Sequence, residues 1–294
     1  MLCWIFWGYN MKRNPIFRIL FYSLIIIILV GILLAGINFK SFPLLPRAES
    51  NSASRISAET VEADWYSLAL PAEEIRSLEI DWPAGGITIE YADTEEICIS
   101  ADVPEDNRIG VKHSGSKLSI DQENKDKLIS FGGAEAYELL IFLPMDFPLK
   151  ELGIETASAR VTLRNLLCDT AEIETVSGGC HVEDCLIENL ELSTVSGDLT
   201  FSGQLKRLDS EAVSAKTEIT LENAPREINI ETISGNVTLD LPQDCGFRLH
   251  QDTLSGKFES DVTTTEKNGR LVYGDGGCNI DLSAISANLT LKTH

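Results

Sequence analysis

Nine carboxylates recur at matched positions in this 294-residue chain. They are counted back from seven serines: Ser158, Ser177, Ser196, Ser214, Ser234, Ser255 and Ser286. Glu155, Glu174, Glu211, Glu231 and Asp252 stand three residues before a serine; Glu172, Glu191, Asp209 and Asp281 stand five before. Stacked on paired strands, such carboxylates would lie about 4.8 Å apart. Like charges at that spacing repel, so something must screen them. Three chemistries fit. The columns can form a solvated face that resists aggregation. They can form a platform for divalent cations or a cationic ligand. Ca²⁺ takes about six to eight oxygens, and flat ladders rarely supply them, so a weak Ca²⁺ effect is expected rather than a tight site. Finally, two carboxylates can flank a glycosidic bond, closer together in retaining enzymes than in inverting ones. Glu172, Glu174, Glu191 and Glu211 are the candidates for that role. A regular ladder, however, lacks the singular, pKa-shifted acid such catalysis needs. No column of Arg, Lys or exposed aromatics stands nearby to hold a sugar. The leading reading is therefore non-enzymatic, with no catalytic residue and no resident cofactor.

The elements that position these residues follow from the period. The serines are separated by 19, 19, 18, 20, 21 and 31 residues. A fixed period in this range marks a solenoid. Apolar residues alternate with polar ones on both sides of each serine, which predicts two short strands per repeat. Immediately before the serine stand Ala157, Val176, Val195, Val213, Ile233, Leu254 and Ile285, which are assigned inward. Immediately after stand only Gly or Ala, which predicts a tight corner that demands small size more than a positive φ. The fold expected is all-β: a single-chain β-solenoid of about 19-residue coils across residues 151–294. Residues 63–150 read as irregular N-terminal coils, with a corner at Pro83–Gly86 and strands in KLSIDQ and ELLIFLP. The segment TTTEKNGRLVYGDGG reads as a loop or hairpin leaving the coil.

Ile19 to Ile37 is a 19-residue run without charge. A helix of about 20 such residues crosses a bilayer. Lys12, Arg13 and Arg18 precede it, so the short N-terminus is expected in the cytoplasm and the remainder outside, on a single-pass anchor. A cleaved signal peptide is the rival. Met11, followed by Lys-Arg, is an alternative start to Met1. Residues 1–40 thus form leader and transmembrane helix, and 41–62 a linker with two Pro and a Ser/Ala/Asn cluster. The formal net charge is −21, and no Asp or Glu precedes Glu49. That balance excludes nucleic acid as a partner, since a phosphate backbone requires a basic footprint.

Other constellations are absent. The four His are scattered, and neither HExxH, a Walker loop nor a dinucleotide-binding glycine pattern occurs. Thr and Ser at the corners fit turn hydrogen bonds better than nucleophilic chemistry. No CxxC suggests zinc. Cys180 falls in an inward column, where a thiol behaves as a small hydrophobe. Cys168 and Cys185 lie near corresponding bends of adjacent coils and are the disulfide candidates.

These phrases carry a family resemblance. The corner Thr194–Phe201 (TVSGDLTF), the early Gly85-Gly86-Ile87-Thr88-Ile89, Ile141-Phe142-Leu143-Pro144, and the late Tyr273-Gly274-Asp275-Gly276 before Ile280-Asp281-Leu282 resemble a bacterial β-strand-repeat family of unknown function that carries an adhesin label. It is related to auto-transporter-adhesin-like head domains. The resemblance spans roughly residues 63–294. It implies a membrane-anchored β-solenoid in the cell envelope and no established catalytic residues. The function expected is surface interaction, as an adhesin or envelope scaffold, with an envelope protein or glycan as partner. Alternatives are a carbohydrate-active β-helix and an envelope-stress regulator acting on a membrane partner.

Overall fold

The computed structural model describes residues 66–103, 109–122 and 136–294. The leader, the span at Ile19–Ile37 and the whole linker at 41–62 lie outside the described residues. What is described is all-β, 19 strands hydrogen-bonded without a break. The N-terminal strands are β1 (Tyr66–Pro71), β2 (Ser77–Asp81), β3 (Gly85–Ala92), β4 (Glu96–Ala101), β5 (Ile109–Ser114), β6 (Lys117–Gln122) and β7 (Tyr137–Pro144). The coils continue through β8 (Leu149–Thr156), β9 (Arg160–Arg164), β10 (Leu167–Thr175), β11 (Cys180–Thr194), β12 (Leu199–Ser214), β13 (Thr217–Leu221) and β14 (Glu227–Leu241). The last strands are β15 (Phe247–Ser255), β16 (Phe258–Ser260), β17 (Thr265–Lys267), β18 (Arg270–Tyr273) and β19 (Cys278–Thr293).

Successive coils pair parallel and in register, Ile154 on Ile173 on Leu192 and Val161 on Cys180 on Leu199. The side chains between them form one apolar column, nearly all of it excluded from solvent. No coil buries its own apolar face; each needs both neighbours.

Three of the serine corners are built by the residue two positions upstream. Thr156, Thr175 and Thr194 are buried, and each hydroxyl accepts the N–H of the small residue three positions on, Ala159, Gly178 and Gly197, at 2.8, 2.8 and 2.9 Å. Small size is required because the next coil is so close: a Cβ on Gly178 would stand 1.9 Å from the Ala159 carbonyl oxygen. Gly235 and Gly256 do take positive φ, 142° and 146°, so at those corners conformation adds to the demand for small size.

Two expectations are corrected. The residue before each serine points outward. Thr156, Thr175, Thr194 and Thr232 continue the inward alternation, which leaves Val176 39% and Leu254 85% exposed, Ala157 exposed, and Val195, Val213, Ile233 and Ile285 partly covered. The change of phase falls one residue later than expected, at the serine itself. Second, the coils that run from β9 through β12 have a third, short side. Asn165, Asp184 and Gly203 lie at 19-residue intervals with φ of 54°, 52° and 132°, and turn the chain into it. The pairing register shifts there, between Val182 and Cys185. Asn, Asp and Gly are the types that tolerate left-handed backbone.

The coils do not stack wholly in sequence order. The β2–β3 coil sits between β6–β7 and β8–β9. At the other end β19 sits between β14 and β15–β16. The excursion that allows this is the β17–β18 hairpin, whose turn residues Asn268 and Gly269 have φ of 54° and 73°. Beyond β6 and β7 the end is closed by antiparallel β5, β4 and β1.

Two substitutions test this account with opposite signs. Thr175→Val keeps shape but orphans the buried Gly178 N–H, and should cost about 1–3 kcal/mol in denaturant unfolding. Ser210 is fully buried in the apolar column and its hydroxyl has no hydrogen-bond partner. Ser210→Ala should leave stability unchanged or raise it by about 1 kcal/mol.

Candidate functional site

The outward side of the strand preceding each serine is the acidic face. Its two columns are longer than the sequence period suggested. One runs Asp121, Asp81, Glu155, Glu174, Ser193, Glu211, Glu231, Ser283, Asp252, each residue opposite the next. The other runs Ser119, Glu79, Gly153, Glu172, Glu191, Asp209, Asn229, Asp281, His250. All nine sequence candidates therefore share one face. Glu79, Asp81 and Asp121 were missed. A signal existed: Leu78-Glu79-Ile80-Asp81 and Leu118-Ser119-Ile120-Asp121 repeat the alternation of Leu152-Gly153-Ile154-Glu155.

Four carboxylates, Asp121, Asp81, Glu155 and Glu174, follow one another without interruption at the N-terminal end of the face. Beside them Ser119 and Gly153 are small, and the surface sinks into a depression of about 460 Å³. It is lined by Glu79, Asp81, Lys112, Ser119, Asp121, Glu155, Glu172 and Glu174 among others. Lys112 reaches Asp121 at 3.7 Å, and Lys117 reaches Glu79 at 2.6 Å. At the far end Arg270 meets Asp281 at 3.4 Å.

The Glu174 carboxyl is pushed up from its ordinary value by partial burial first, then by Glu155 and Glu172. Among the described residues, no three acidic, His or Cys side chains are arranged to hold a metal ion. The carboxylates stand side by side along the ladder, a geometry suited to diffuse attraction of cations.

The cysteines lie elsewhere. Cys168 and Cys185 are buried and unbridged; their thiols donate to the carbonyls of Thr170 (3.1 Å) and Glu183 (3.3 Å). Burial pushes Cys168 and Cys180 up to about 12 and Cys185 to about 11. Cys245 and Cys278 hydrogen-bond to one another where β15 meets β19, and Cys278 is pushed up by that contact and by burial. His181 faces outward, its Nδ1 2.6 Å from the Thr200 hydroxyl.

Residues 75–207 match the Toastrack family, DUF4097. Among solved structures, the chain is similar to a candidate adhesin from Bacteroides fragilis (13% identity, 78% of this chain and 97% of that one, TM-score 0.46). It is also similar to a candidate lipid-binding protein from Parabacteroides distasonis (14%, 80% and 99%, TM-score 0.44). A third is a candidate cell adhesion protein from Clostridium sporogenes (12%, 78% and 99%, TM-score 0.41). No curated protein matches the sequence.

Two measurements check the site. A raised carboxyl pKa means the folded state keeps a proton that the unfolded state has released. Stability therefore falls as pH rises from the ordinary glutamate value, 4.5, through the raised one. Glu174→Gln should melt higher than the parent at neutral pH, with the gap closing once pH drops below the ordinary value. Separately, iodoacetamide at about pH 8 should spare Cys168, Cys180 and Cys185 in the folded protein, because burial keeps them as thiols. Labelling after unfolding without reductant then reports any Cys168–Cys185 bridge as two unlabelled sites.

Proposed function

We propose that this chain, whose residues 75–207 match the Toastrack family, is a non-enzymatic protein that works by surface contact, with the acidic face as its binding surface. The single observation that carries this reading is the pair of outward columns, each aligned coil on coil from one end of the described stack to the other. A rigid ladder of like charges is held there at the cost of mutual repulsion. A cationic partner relieves that repulsion on binding, so affinity and relief of strain add.

The solenoid is held outside the cell by the Ile19–Ile37 anchor, N-terminus cytoplasmic, and lifted from the membrane by the linker at 41–62. Its partner is an envelope protein or glycan bearing cationic groups, and the role is adhesion or scaffolding. Divalent cations such as Ca²⁺ act on the face as weak, diffuse counterions rather than as a resident cofactor.

The depression, which gathers Glu155, Glu172 and Glu174 along one wall, favours a second reading, a carbohydrate-active β-helix in which two carboxylates flank a glycosidic bond. The two readings separate experimentally. On the contact reading, a cationic polymer such as polylysine binds the full-length protein, binding weakens steeply with salt, and a polysaccharide panel yields no reducing ends or unsaturated products. Product release that Glu174→Gln abolishes would overturn it in favour of the enzyme. Millimolar Ca²⁺ should raise the melting temperature by a few degrees and compete with polylysine.

A further inference from the structure

The acidic face has an apolar border. The residues before the serines, Ala157, Val176, Val195, Val213, Ile233, Ile285 and Leu254 in spatial order, form an outward ladder directly beside the Glu155–Asp252 column. The serines themselves, all exposed, form a hydroxyl ladder on its other side. Scattered valines on a β surface need no explanation. Here all seven positions are aliphatic or Ala while the two neighbouring outward columns are polar at every coil, and Leu254, which is not β-branched, is 85% exposed.

We propose that this ridge and the adjoining carboxylates form one docking surface for a cationic amphipathic helix of a partner protein, laid along the solenoid axis. The proposal rests on the contact reading above and names its partner. Charge complementarity supplies the sign: an apolar stripe bordered by a carboxylate column fits a helix with an apolar stripe bordered by Lys or Arg. Backbone chemistry excludes an added strand on the ridge. Its N–H groups are already taken, with Val176 donating to Thr156, Ser177 to Ala157, Val195 to Thr175, Ser196 to Val176 and Ser214 to Val195. Recognition must therefore go through side chains. Spacing favours a helix too. The ridge repeats about every 4.8 Å, close to the roughly 5.4 Å pitch of a helix; a strand laid along it would present same-side residues about 6.8 Å apart. Six steps give about 29 Å, matched by a helix of about 19 residues.

The test uses the full-length protein in phosphatidylcholine nanodiscs, with empty discs as control. The probe is a fluorescein-labelled 19-residue Leu/Lys peptide with one Leu stripe, read by anisotropy. Saturable binding is expected, and at least a tenfold loss in Val176→Thr/Val195→Thr/Val213→Thr, which keeps shape and β-branching. The same peptide with Glu for Lys should not bind. If the Thr variant binds as well as the parent while Glu155→Gln/Glu174→Gln/Glu211→Gln binds worse, the ridge proposal fails and the acidic contact surface stands. If the Gln variant also binds unchanged, both fall. Sedimentation of the protein with phosphatidylglycerol vesicles, lost in the Thr variant and unaccompanied by peptide binding, would give the ridge to a membrane and overturn the helix.

Discussion

Backbone hydrogen bonding between parallel, in-register coils governs everything else in this molecule. It fixes neighbouring strands about 4.8 Å apart and leaves no freedom to stagger them. Each residue therefore has its own counterpart in the coil above as its nearest lateral neighbour. Inside, that rule stacks Ile on Ile and Leu on Leu into a dry column. Outside, it stacks Glu on Glu, Val on Val and Ser on Ser. The acidic columns and the aliphatic ridge are thus products of one geometric constraint acting on a periodic sequence. The corners obey it as well. A buried threonine hydroxyl satisfies the local N–H, and at Gly178 and Gly197 even a methyl would strike the carbonyl of the adjacent coil.

How much of this was legible in the sequence depended on which physical signal each residue carried. The period and the all-β class were readable because alternation at Ile154, Ile173 and Leu192 repeats with the same phase around every serine. The nine acids shared a face for the same reason. The valines before the serines misled because burial and β-propensity favour the same residue types. Val176 is aliphatic whether it faces the core or the solvent, whereas Thr175, polar and inward, hides its role by bonding a backbone N–H. The third side of the coil was marked by Asn165, Asp184 and Gly203, but three different residue types at one spacing make a faint signal. Their common property, tolerance of left-handed backbone, is physical rather than chemical in appearance.

Spatial order was the part that periodicity could not reach. Nothing in the spacing of Ser255 and Ser286 says that the later coil lies inside the earlier one. That arrangement depends on the length of the β17–β18 excursion and on which coil offers the better apolar surface. β19 presents Ile280, Leu282, Leu289 and Leu291, all buried. Opposite Leu282, Ala284 and Leu291, β15 and β16 place Gln251, Thr253 and Ser260, none of them fully covered. The more polar coil takes the end of the stack, where its inner side is half wet, and so serves as a cap. At the other end the same problem is met differently, with β1, β4 and β5 turned antiparallel across the edge.

The inward placement of β19 has a mechanical corollary. Its 16 residues are hydrogen-bonded to β14 along one side and to β15 and β16 along the other. A strand at the edge of a sheet is held by one row of bonds and can leave by itself. β19 can leave only if two rows part together, or if the outer β15–β16 coil swings off first. A pull on β19 therefore loads both rows at once, and the stack resists unzipping at this strand more than it would at an edge.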